Sequence, residues 1–104
     1  MDNFKAVYRI LTALEASMDL PKNNLEMFNA NALHVSEARW SRYIEMMADA
    51  GYVKGVKVNH YIDGTMSVNA DNIEITLKGL EYLQENSIMQ KIYRAAKGAV
   101  DLVP

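Results

Sequence analysis

Apolar residues recur along the first part of the chain at three- and four-residue steps. Phe4, Val7, Tyr8, Leu11, Leu14 and Met18 form one stripe, with Lys5, Arg9, Thr12 and Glu15 mostly away from it. That pattern predicts an amphipathic helix from Asn3 to about Ser17. Asp2 or Asn3 can cap its start, and Pro21 stops anything continuing past Leu20. Between Asn24 and His34, the residues Leu25, Met27, Phe28, Ala32 and Leu33 suggest a short helix, with Asn29 or Asn31 as cap or interruption. Ser36 then leads Glu37, an N-cap with an acid in the first turn behind it. From Glu37 to Ala50, at about 100° per residue, Trp40, Tyr43, Ile44, Met47 and Ala48 make a buried arc, and Gly51 ends the helix.

After Gly51 the period changes from helix to strand. Residues Tyr52 to Ile62 are rich in β-branched and aromatic side chains and alternate from Val56 onward. Asp63-Gly64 supplies a tight turn, and Thr65 to Val68 reads as the return strand. Asn69 to Asn72 is polar loop, and Ile73-Glu74-Ile75-Thr76 is a short extended piece whose Thr76 caps the next helix. That helix, Leu77 to Asn86, buries Leu77, Leu80 and Leu83 with help from Tyr82. A last helix runs from Ser87 to about Gly98.

The order is helix, short helix, helix, β-hairpin, helix, helix. His34-Val35 is about the length a helix-turn-helix needs between its members, and a hairpin directly after the second member is the plan of a winged helix. The expected fold is therefore α+β, a winged helix-turn-helix occupying residues 1–104 as one domain. It has a three-helix core, a β-hairpin wing and two C-terminal helices. Glu37–Ala50 takes the place of the recognition helix and Asn59–Met66 that of the wing tip, while Val56 and Val58 close the core.

Several blocks carry a family resemblance. The chain opens on Phe4-Lys5, Tyr8, Ile10-Leu11 and Ala13-Leu14-Glu15. It continues with Val35-Ser36, Arg39-Trp40 and Gly51-Tyr52-Val53-Lys54-Gly55, and closes on Ile75-Thr76-Leu77-Lys78-Gly79-Leu80-Glu81-Tyr82-Leu83 with Glu85-Asn86-Ser87. Together these resemble the YjcQ-like family of small bacterial and phage proteins over nearly the whole chain. The block from Thr76 to Leu83 also resembles, more loosely, MarR- and PadR-type winged-helix regulators. The resemblance implies a winged-helix fold and no particular activity.

Composition narrows the class. Of 104 residues half are hydrophobic and 23% charged, with no cysteine, so disulfides, thiolate metal sites and cysteine nucleophiles are excluded. The apolar runs fall well short of the roughly 20 residues a membrane helix needs, and no basic stretch leads into an apolar one at the amino terminus. A cytoplasmic protein is the expectation, with no membrane partner. The net charge of −2 argues mildly against nucleic acid, but its distribution matters more than its sum. Lys54, Lys57 and His60 lie in one stretch free of acids, and Lys91, Arg94 and Lys97 in another.

The candidate DNA-binding face is the solvent side of Glu37–Ala50. By helical angle Ala38, Ser41, Arg42, Glu45 and Asp49 point away from the buried arc, and Arg39 flanks it. Bases fall in the amino-terminal half and acids in the carboxy-terminal half, the polarity a recognition helix needs. Arg42 can reach guanine, and Ser41 a phosphate or base edge, with Ser36 at the helix start. The competing reading pairs Arg42 with Glu45 one turn on. Lys57, His60 and Tyr61, beside Lys54, form a wing that can lie along a DNA backbone; as plain edge-strand lysines the same residues oppose aggregation. Trp40 belongs to the core. Ile88, Ile92, Tyr93 and Ala96 give the last helix an apolar face that either folds back on the first helix or forms a homodimer.

Enzymatic constellations are missing from the pattern. His34 and His60 are the only histidines, and neither has a second ligand at helical or hairpin spacing, so no metal and no cofactor is expected. The glycines form no phosphate-cradling loop, no serine sits in a nucleophile elbow, and the acids are scattered. Two functions remain: a DNA-binding winged helix, such as a small transcriptional regulator acting on double-stranded DNA, or a winged-helix module that binds protein. The second draws on a pI near 5.6 and on tyrosine and methionine, which are enriched at interfaces.

Overall fold

The computed structural model describes residues 2–87. Helix α1 spans Asn3–Ala16, and its cap is Asp2, whose carboxylate accepts the Phe4 and Lys5 amides. A 3-10 turn at Leu25–Met27 and a single-turn helix α2 at Ala30–Leu33 replace the one short helix expected between Asn24 and His34. The asparagines account for the division. Asn24 accepts the Glu26 amide, and Asn29 restarts the chain by accepting the Ala32 amide; each offers the backbone a local partner that competes with a continuing helix. Helix α3 covers Glu37–Asp49 with Ser36 as N-cap. Residues 77–87 are helical and are labelled α4.

Four short strands lie between α3 and α4: β1 Val53–Lys54, β2 Lys57–His60, β3 Met66–Asn69 and β4 Glu74–Ile75. They form two antiparallel pairs rather than one long hairpin, β1 with β4 and β2 with β3. The break in the strand expected over Tyr52 to Ile62 falls at Gly55, whose φ of +79° turns the chain. There the backbone passes so close to Asn72 that a Cβ on Gly55 would stand 2.1 Å from the Asn72 carbonyl oxygen. Beyond this neck, Val58 faces Val68 across β2–β3; both are half-buried, and β3 lies against α3. Val56 is half-buried as well.

The core joins Ile10, Leu11 and Leu14 of α1, Phe28 and Leu33, Trp40, Tyr43, Ile44 and Met47 of α3, and Val53, Ile73 and Ile75. The Trp40 indole donates to the buried Phe28 carbonyl over 2.8 Å, which fixes its place inside. Helix α1 buries a different arc from the one its large residues mark. Ala6, Ile10 and Ala13 are inside, while Phe4 is 75% and Met18 59% exposed, a rotation of roughly a quarter turn at about 100° per residue. Ala6 and Ala13 carry little bulk on the buried side, which a reading weighted by hydrophobic bulk does not register, and β4 lies against α1. Leu77, expected in the core, is also exposed, whereas Leu83 is buried. No described helix is long and apolar enough to cross a membrane.

Candidate nucleic-acid interface

The exposed side of α3 begins at its cap. The Ser36 side chain accepts the Arg39 amide at 3.1 Å, so its oxygen is engaged in holding the first turn. The Arg39 guanidinium reaches back to α1, donating through Nη1 to Asn3 Oδ1 at 2.9 Å, and the Tyr43 hydroxyl donates to the same oxygen. One turn on, Arg42 is exposed and makes no ion pair or hydrogen bond among the described residues.

Glu45, the carboxylate one turn from Arg42, is occupied elsewhere. His60 Nε2 of the hairpin is in direct hydrogen-bonding contact with Glu45 Oε2. The expected alternative of an Arg42–Glu45 pair is therefore not formed, and the hairpin is tied to the flank of α3 instead.

Ser41 is corrected by the structure. It is 7% exposed and buried with the core-facing residues of α3. At about 100° per residue it sits beside Ile44 and Ala48 at the edge of the buried arc, not opposite it. With β1, β3 and α2 all packed on α3, that edge is covered, so Ser41 is no surface contact.

The wing candidates divide by strand alternation. Val58 and Val68 turn toward α3, which leaves Lys57 and Asn59, with their partners Asn69 and Ser67, on the opposite face of the hairpin. Tyr61 joins that outer face, its hydroxyl 3.1 Å from Ser67 Oγ. His60 thus belongs with α3 and Arg42, whereas Lys57 and Tyr61 look away.

At the tip, Ile62 is completely exposed and Asp63 is bonded through one oxygen to the Thr65 amide at 3.0 Å and the Thr65 hydroxyl at 2.6 Å. The hydroxyl first and the amide second hold the Asp63 carboxyl below its usual value of 3.8, so the tip carries a negative charge at neutral pH. Asp49 adds another exposed acid at the end of α3. The cations do not form one uninterrupted patch.

Sequence reasoning offered Asn3 only as a helix cap and passed over Met46 and Ile62. Met46 is 56% exposed on α3, and its helical angle alone would have placed it there; the double role of Asn3 depends on a helix 36 or more positions away and had no local signal. Ile88, Ile92, Tyr93 and Ala96, the candidate oligomer contacts, lie outside the described residues, as does the last expected helix beyond Ser87. Away from this surface, a cleft of about 820 Å³ runs between the end of α1 and β4. It mixes Lys22 and Asp71 with the Lys54–Glu74 ion pair, whose atoms are 3.7 Å apart. Its balanced charges nominate no ligand.

Fold and surface together define a small α+β protein in which a capped helix and a hairpin latched to it present one arginine-bearing face. The chain belongs to the YjcQ protein family, whose model matches residues 8–102. Neither the curated proteins nor the solved structures contain a match.

Proposed function

We propose that the protein is a winged-helix DNA-binding protein, a small bacterial or phage transcriptional regulator, with α3 as recognition helix and the β2–β3 hairpin as wing. The observation that carries this reading is the state of Arg42. It is exposed in the amino-terminal half of α3, and the nearest acid along the helix, Glu45, is engaged by His60. A cation without a protein partner among the described residues, on the leading half of a helix, suits phosphate or guanine contact. The exposed acids Glu37, Asp49 and Asp63 stand at the two ends of the helix and at the hairpin tip, so like-charge repulsion from the DNA backbone favours an approach centred on Arg42.

A second reading, docking to a protein, is favoured by the hairpin tip. Tyr61 is 54% exposed and Ile62 wholly so beside the Asp63 carboxylate, an apolar knob with an acidic collar.

Fluorescence anisotropy with mixed-sequence duplex DNA at low and near-physiological salt separates the two. Salt-sensitive binding is expected, and Arg42→Glu weakens it while lowering the salt slope by about one. Arg39→Ala has a smaller effect, because Asn3 already holds that guanidinium. No binding at low salt refutes a generic DNA-binding role and shifts the assignment to a protein partner.

A further inference from the structure

Along the exposed side of α3, Ala38, Arg42 and Met46 follow one another at four-residue spacing and are all exposed. Residues so spaced form a single ridge on a helix, each about 6 Å further along the axis. The ridge reads methyl, guanidinium, methyl. Its acidic neighbour Glu45 is occupied by His60, and Arg39 on its other side is tied to Asn3. Arg42 is therefore the one arginine of α3 whose fork is unengaged among the described residues, and it is flanked one turn each way by exposed methyl-bearing side chains.

We propose that this ridge reads a guanine flanked by thymines in the major groove of double-stranded DNA, Arg42 contacting the guanine while Ala38 and Met46 cover thymine methyl groups. The inference rests on the DNA-binding reading above and adds what sequence is read. Guanine offers two acceptors, O6 and N7, on the groove edge, which a guanidinium fork matches, and thymine offers the one methyl group there. Base pairs are stacked about 3.4 Å apart, so contacts about 6 Å apart along the helix fall one or two base pairs from the guanine. Cytosine would need an acceptor at the same place, and the carboxylate that could provide it, Glu45, is held by the hairpin.

Selection from randomised duplexes by the full chain at low salt tests this, followed by anisotropy on the enriched sequence. A guanine is expected with thymines within about two base pairs of it. Replacing that guanine by 7-deazaguanine, which removes N7 and alters nothing in the protein, weakens wild type about tenfold. Arg42→Gln flattens the preference at the guanine position. Uracil for either flanking thymine, a loss of one methyl group, weakens wild type about fourfold, and Met46→Ala abolishes the sensitivity to one of the two changes. Thermal unfolding confirms that the variants keep the fold, since the altered side chains are exposed. Binding without base preference, or a guanine preference that survives Arg42→Gln, overturns the ridge while leaving a DNA-binding protein. Retention of no duplex at low salt removes the DNA-binding reading and the ridge with it.

Discussion

Replacing Gly55 by alanine should be far more damaging than the same change at Gly64, although both residues have positive φ, +79° and +88°. An L-residue in that region costs about 1–2 kcal/mol at either site. At Gly64 nothing lies within 4 Å of the added Cβ, so that is the whole cost. At Gly55 the Cβ would be 2.1 Å from the Asn72 carbonyl oxygen and 3.0 Å from its carbon, whereas a carbon and an oxygen normally rest no closer than about 3.3 Å. The obstacle is backbone, and it is fixed two residues further on by the Lys54↔Glu74 pairing of β1 with β4. Relief requires opening that ladder, a further cost of about 1–3 kcal/mol. Gly55→Ala should therefore lose roughly 2–5 kcal/mol from a total of order 5–15 kcal/mol, and Gly64→Ala about 1–2 kcal/mol. Equilibrium urea unfolding reads both directly, using the fluorescence of Trp40, the chain's one tryptophan, with unchanged m-values as the check on two-state behaviour. Equal losses at the two glycines would refute the close-approach argument.

Trp40→Phe removes the donor to the buried Phe28 carbonyl and should cost about 1–3 kcal/mol beyond the lost packing, measured by urea unfolding followed by far-UV circular dichroism. The Asp63 carboxyl should titrate below 3.8 in an NMR pH series, and Thr65→Val should move its midpoint upward. Because the folded value is depressed, Asp63 stabilises the turn above its unfolded pKa, and that contribution is lost as pH falls through the folded pKa; a midpoint unmoved by Thr65→Val would discard the hydroxyl as its cause.

What was legible in the sequence was whatever is decided within a few residues. The Ser36 cap, the arc of Trp40, Tyr43, Ile44 and Met47, and the stop at Gly51 follow from local hydrogen bonding and helical period. Features fixed by distant partners were not legible. The neck at Gly55 depends on Asn72, the partner of Glu45 proved to be His60 fifteen positions on, and Arg39 found Asn3. On α1, Ala6 and Ala13 share the buried side with Ile10, Leu11 and Leu14, while Phe4 lies outside it. Ser41 was misplaced because a flank was read as an outer face. For the candidate site, this means that the presence of Arg42 could be read from the sequence, but that none of the described residues pairs with it could not.

The pairing of β1 with β4 also bears on how such a protein can change over generations. Val53 and Ile75, both buried, lie opposite each other at the neck, and all of the β2–β3 hairpin hangs beyond them. Lengthening a loop closed in this way is cheap, about 0.6 kcal/mol for each doubling. Insertions and deletions at the tip therefore leave the buried residues undisturbed. The hairpin is the part of the molecule in which descendants can try out new partners while inheriting the same interior.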